Sequence, residues 1–193
     1  LILANMPTVI TPCLPAHLLS RSFNHVAQFW MKFILKSGLI LGDRQQLATF
    51  KPAFKVRYIP KGRTKQDRQA EFEELCRMAS AAKNCTFVIE ELGRYTMPSY
   101  APPAWSDCCN DGRHDGLHLI AASQFPAQID KAFLGNATLI HCGYLGEVSH
   151  RKCVAEKMDI DPQMIKDLPN LSYLQFDREA RTTIKGRVKN PYA

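Results

Sequence analysis

Short apolar runs of strand length alternate with stretches of helical periodicity along most of this chain. That alternation constrains the fold more than any other feature of the sequence. A chain patterned in this way pairs its strands side by side and covers them with helices, which predicts an α/β fold with a mainly parallel sheet flanked by helices. The strand-like runs are residues 1–4, 39–41, 55–59, 85–89, 117–122, 137–142 and 173–176. Helical stretches are expected over 15–36, 66–83, a short segment ending near Cys109, 148–158 and 161–168. The best of them, 66–83, places Phe72, Leu75, Cys76 and Ala79 at helical spacing. Residues 178–193 read as a polar, basic tail, and the length of 193 residues suits one domain.

Composition narrows the classes. Hydrophobic residues make up 46% and charged residues 22%, which excludes a disordered or collagen-like chain. The seven cysteines have no regular spacing and no CxxC with matching histidines, so neither a disulfide framework nor a zinc site is expected. Reduced thiols point to a cytosolic protein. Residues 1–19 lack a basic leader and carry Pro7, Pro12 and Pro15. The apolar run 29–35 is interrupted by Lys32, so no signal peptide or membrane span is expected.

Twenty-five Lys and Arg stand against 18 Asp and Glu, a formal charge of +7 that favours a polyanionic partner. The excess is concentrated. Residues 51–68 hold seven basic side chains and one acidic, and residues 178–189 hold five and one. Such patches can bind phosphates without reading sequence, or can simply be solvated basic loops. No helix-turn-helix, zinc finger or RNP pattern is present, so any nucleic-acid contact is expected to be sequence-independent.

The chemistry is concentrated at strand ends. Phe87-Val88-Ile89-Glu90-Glu91 delivers two carboxylates at the C-terminal end of an apolar strand, where open α/β sheets place their ligands. For nucleotide hydrolysis, Glu90 can hold Mg²⁺ and Glu91 can orient the attacking water. The plainer reading is a strand end followed by a solvated acidic turn. The strand at 117–122 ends in Ser123-Gln124, and the Gln124 amide is a candidate sensor of phosphate or water. Arg113, in the loop Asp111-Gly112-Arg113-His114-Asp115-Gly116, suits an arginine finger reaching across a subunit interface, or is an ordinary surface arginine. His114 and His118 straddle Gly116 and make a poor helical metal pair.

Thr86-Phe87-Val88-Ile89-Glu90-Glu91, then Gly112-Arg113-His114-Asp115-Gly116-Leu117-His118, then Ala122-Ser123-Gln124-Phe125-Pro126-Ala127-Gln128-Ile129-Asp130 resemble three motifs of FtsK/HerA-type P-loop ATPases. These are the Walker B strand, the arginine-containing segment and the sensor strand, in that order and at similar spacing. The superfamily includes viral genome-packaging ATPases. The resemblance covers about residues 38–176. It implies a RecA-like core, ATP and Mg²⁺ as cofactors, a homo-oligomeric ring and movement of nucleic acid, double-stranded DNA in the first place. It also implies Glu91, Gln124 and Arg113 as catalytic residues and Glu90 at the metal.

The chain departs from that pattern in three places. Glu90-Glu91 replaces Asp-Glu, Phe125 stands where arginine is usual, and no G-x-x-x-x-G-K-[ST] occurs. Its expected place reads Met6-Pro7-Thr8-Val9-Ile10-Thr11-Pro12-Cys13, where only Pro7 and Thr8 match, the two positions assigned to cofactor binding. Val9 and Ile10 resist positive φ, Pro12 removes a donor, and no lysine is present there. Lys32 or Lys36 can be weighed as a substitute, against ordinary helix-surface lysines. Two functional classes therefore stand: an ATP-driven nucleic-acid translocase, and a non-catalytic structural or regulatory relative that has lost phosphate binding. A small-molecule α/β enzyme is disfavoured by the lack of a nucleophile constellation or G-x-G-x-x-G.

Overall fold

In a computed structural model, the structure describes residues 39–41 and 56–188. The expected strand at 1–4, the expected helix over 15–36, and Pro7, Thr8, Lys32 and Lys36 lie outside the described residues. The chain divides into two compact units. One carries β1 (Leu39–Leu41) and β2 (Val56–Tyr58), paired in parallel with Leu39 opposite Val56 and Leu41 opposite Tyr58. The other holds all the described residues from Gly62 onward.

In that second unit α1 (Lys65–Ala82) starts at a reciprocal cap. Thr64 Oγ1 accepts from the Asp67 N–H at 3.1 Å, and Asp67 Oδ2 accepts from the Thr64 N–H at 3.0 Å. Two orphan donors of the first turn are thereby satisfied. The helix buries Phe72 and Cys76 and delivers the chain to β3 (Thr86–Ile89). A short 3₁₀ turn, Leu92–Arg94, and α2 (Pro103–Asp111) then carry it across to β4 (His118–Ala121). β4 lies parallel to β3, Thr86 opposite His118 and Ile89 opposite Ala121. Parallel neighbours need such a crossover, because a hairpin can only reverse direction.

The core gathers around aromatic rings. Phe72 stacks on Tyr95 with centroids 4.6 Å apart, and Trp105 lies between Phe72 and Phe133 at 5.4 and 5.2 Å. Leu117, Leu119, Ala121, Ile140, Cys142 and Leu174 join the same cluster, so both strand groups of this unit share one core. Each large side chain buried there contributes about 1.5–3 kcal/mol. The six cysteines among the described residues are all free thiols.

The second half departs from the expected parallel sheet. α3 (Lys131–Asn136) leads into β5 (Leu139–Gly143), followed by α4 (Val148–Met158), α5 (Pro162–Lys166) and β6 (Ser172–Asp177). β6 runs antiparallel to β5, with Ile140 opposite Phe176 and Cys142 opposite Leu174. The reason is parity. One connecting helix returns the chain to the end where the strand began, whereas two leave it at the other end.

The stretch read as a basic tail contains a further strand, β7 (Thr182–Arg187), antiparallel to β6. Asp177 Oδ1 accepts from the Glu179 and Ala180 N–H groups at 2.9 and 3.0 Å and closes the turn between them. Most of β7 is exposed, so it carries no apolar alternation for a sequence reading to detect.

Candidate functional site

The site forms where β3 and β4 end side by side. Their pairing continues past the strands, because the Ala122 N–H donates to Ile89 O and the Leu92 N–H to Ala122 O, both at 2.9 Å. Ile89 and Leu92 are buried and pin the intervening Glu90-Glu91 to the edge of the sheet. Glu90 is exposed. Glu91 adopts a left-handed backbone, φ 57° and ψ 68°, which a non-glycine residue enters at a cost of about 1–2 kcal/mol. This geometry turns its carboxylate across to the end of β4.

There it meets two donors. Ser123 Oγ donates to Glu91 Oε1 at 3.2 Å, and the Gln124 backbone N–H lies 3.4 Å from Glu91 Oε2. Ser123 is itself buried and fixed, since its oxygen accepts from the Phe125 N–H at 3.1 Å. Both carboxylate oxygens of Glu91 therefore have a partner on the neighbouring strand. Gln124 reaches Glu91 through its backbone, while its side chain is exposed.

A buried polar relay supports this arrangement from behind. Thr96 Oγ1 donates to Leu92 O at 3.3 Å and accepts from the Asp130 N–H at 3.2 Å. The Asp130 carboxylate caps α3 through the Ala132 and Phe133 N–H groups at 3.0 and 3.1 Å. The turn after Glu91 and the segment after Gln124 are thus tied to one another. Such over-determination lets a left-handed residue persist.

Arg113 lies elsewhere. It sits in the exposed turn between α2 and β4, which is anchored at Asn84 by a bond from its N–H to Asp115 O (2.8 Å) and by the Lys83–Asp115 ion pair (2.8 Å). Asn84 precedes β3, so Arg113 belongs to the opposite edge of the strand pair. A four-residue strand spans about 13 Å. Within one chain Arg113 does not reach Glu91. Pro7 and Thr8 lie outside the described residues. Among the described residues no group of three or more His, Cys, Asp or Glu side chains is arranged to hold a metal ion.

The geometry can be compared with known proteins. No protein-family model matches the chain. Over 112 residues it is 28% identical to Protein P9 of Pseudoalteromonas phage PM2, covering 56% of this chain and 51% of that protein. The match spans about half the length of that curated relative. The genome packaging NTPase B204 from Sulfolobus turreted icosahedral virus 2, in complex with AMP, gives a TM-score of 0.68 at 16% identity over 91% of this chain and 92% of that one. Its complex with ATP-gammaS also gives 0.68 at 16%, over 90% and 91%. B204 of Sulfolobus turreted icosahedral virus, described as a DNA-packaging ATPase, gives 0.63 at 19%, over 89% and 92%. The chain has the fold of a viral genome-packaging NTPase.

Within this packaging-NTPase fold, sequence reasoning missed two side chains that shape the site. Ser123 was read only as the neighbour of Gln124, yet it makes the closer contact with Glu91. His150, on α4, was not singled out at all. It is buried, and its Nδ1 accepts from the Ala127 N–H at 3.4 Å. Its Nε2 lies 3.1 Å from Glu147 Oε2 but off the line of a hydrogen bond. Phe125 meets the His150 ring edge-on at 5.6 Å. Helical spacing does put His150 with Val154 and Met158 on one buried face, the only sequence signal it left. Among the described residues, no helix is long and apolar enough to cross a membrane.

Proposed function

We propose that this protein is a nucleotide-hydrolysing subunit of a viral genome-packaging motor, with a RecA-like core of the FtsK/HerA type. The observation that carries this reading is the Glu91 carboxylate, held at the exit of two adjacent parallel strands by donors from the second strand. That is where an α/β sheet receives a ligand and where a carboxylate can orient a water for attack on a phosphate. The fold likeness to packaging NTPases solved with AMP and ATP-gammaS supports ATP as the nucleotide.

In this reading Glu91 orients the attacking water, and the Ser123–Phe125 turn sets the direction of its carboxylate. The exposed Gln124 side chain is free to meet the terminal phosphate. Glu90 would hold Mg²⁺, which when bound neutralises charge on the transferring phosphoryl group. Arg113 lies at the opposite end of the β3–β4 pair from Glu91, so it would act on a neighbouring subunit, which calls for a homo-oligomeric ring. The cargo is nucleic acid, double-stranded DNA gripped through its phosphates without sequence preference.

A second reading is a non-catalytic relative, favoured by the absence of G-x-x-x-x-G-K-[ST] from the chain. Calorimetry with MgATP together with a phosphate-release assay, on wild type and Glu91→Gln, separates the two. Binding by both proteins with hydrolysis only by wild type supports the motor. Failure of both to bind supports the non-catalytic relative.

A further inference from the structure

An open depression of about 430 Å³ lies between the first turn of α1 and the 92–94 turn, lined among the described residues by Lys65, Arg68, Gly93 and Arg94. Its two walls are locked together. Gln69 Nε2 donates to Tyr95 O at 3.0 Å, and the Tyr95 ring stacks on Phe72 at 4.6 Å and 18°. Arg68 is held in place by donating Nη1 to Gly62 O and Arg63 O at 3.3 and 3.1 Å. Lys65 and Arg94 are exposed.

The charge in this depression is one-sided. No ion pair joins any of the three cations to a carboxylate among the described residues. Asp67, whose carboxylate feels the Arg68 charge, is turned onto Thr64 in the helix cap and does not line the depression. Glu71 and Glu90, whose charges are felt at the neighbouring Tyr95 hydroxyl, do not line the depression. The positive end of α1 adds to the same field.

We infer that this preformed depression is a phosphate-binding site for a nucleic-acid strand, with Lys65, Arg68 and Arg94 contacting its backbone. It rests on the nucleic-acid half of the reading above and adds Arg94, which lies far from the basic runs in sequence. An open shape lets a polymer pass through; Glu91 does not line the depression but adjoins it, since a Cβ on Gly93 would fall 3.6 Å from Glu91 Oε1. Because Arg94 shares the short turn that begins at Glu91, a strand held here would sit two to three residues from the hydrolytic carboxylate.

The test is fluorescence anisotropy of a labelled DNA duplex of about 20 base pairs, titrated with salt in the absence of nucleotide. The proteins are wild type, Lys65→Ala/Arg94→Ala, and Lys152→Ala/Lys166→Ala, which removes the same charge from exposed positions on other helices. The expected result is about tenfold weaker binding for Lys65→Ala/Arg94→Ala, and a log–log salt slope shallower by about 1.8, or about 0.9 per lost phosphate contact. An unchanged affinity and slope, or an equal loss in Lys152→Ala/Lys166→Ala, overturns the site and leaves the motor reading standing. So does a loss confined to a fluorescent ATP analogue with duplex binding retained, which would make this a nucleotide site. No duplex binding by wild type overturns the nucleic-acid reading and this site with it.

Discussion

Ser123 Oγ stands 3.2 Å from Glu91 Oε1 and donates its proton there, while its own lone pair is taken by the Phe125 N–H. One buried hydroxyl thus joins the ends of two parallel strands and sets the direction of the carboxylate proposed to orient water. If that orientation matters, the chemistry depends on the serine as well as on the glutamate. Glu91→Gln keeps the shape and loses the basicity, so turnover should fall by about 10²–10⁴ with nucleotide binding retained. Ser123→Ala removes a bond to a charged group, and turnover should fall about tenfold or more with KM little changed. Steady-state ATPase kinetics check both. Wild-type turnover in Ser123→Ala would show that the contact has no catalytic role.

Phe125 and His150 should act as a pair. The ring contact at 5.6 Å and the bond from the Ala127 N–H to His150 Nδ1 fasten the 123–128 turn to α4. His150→Ala empties a buried position and leaves the half-buried Ala127 N–H without its partner, and should cost about 1–3 kcal/mol. Phe125→Ala, at a side chain 46% exposed, should cost less. A double-mutant cycle by urea unfolding should show coupling of about 0.5–1.5 kcal/mol, and additive losses would mean that the rings do not support one another.

Gly186 faces Tyr173 directly across β6 and β7. A Cβ there would fall 2.3 Å from the Tyr173 ring, which is buried and packed on His141 with centroids 4.1 Å apart, leaving it no easy retreat. Gly186→Ala should therefore destabilise by about 1–3 kcal/mol and lower the thermal midpoint. An unchanged midpoint would mean that β7 does not pack as described.

His141 ties stability to pH. Burial holds its imidazole down at about 4, below the usual histidine value of 6.5. The unfolded chain therefore takes up a proton first as pH falls, so this contribution is complete above about pH 6.5 and is lost progressively toward pH 4. At about pH 5 the loss should be about 1–2 kcal/mol. Urea unfolding at neutral and acidic pH should show that loss in wild type and a smaller one in His141→Gln. Equal losses would assign the acid sensitivity to other groups.

The strand and helix order around the site was legible in the sequence because local patterning produces it. An apolar run ending in two carboxylates, a helix with Phe72 and Cys76 on one face, and Ser123-Gln124 at a strand end each lie within a few residues. The contact of Ser123 with Glu91 was not, because it depends on a left-handed backbone at Glu91 and on which strands become neighbours. His150 was equally hidden, since its partners, Phe125 and Ala127, come from a turn more than twenty residues away.

From the amino-acid order alone came the alternation that demands an α/β arrangement, the acidic strand end and the net positive charge, all of them properties of neighbours along the chain. Only the tertiary structure decided that β5, β6 and β7 run antiparallel, that 182–187 is a strand, that Arg113 and Glu91 occupy opposite edges, and that Arg94 joins Lys65 and Arg68. Strand direction, edge and charge clustering are set by how connections cross and which surfaces pack, and those are relations between residues far apart in sequence.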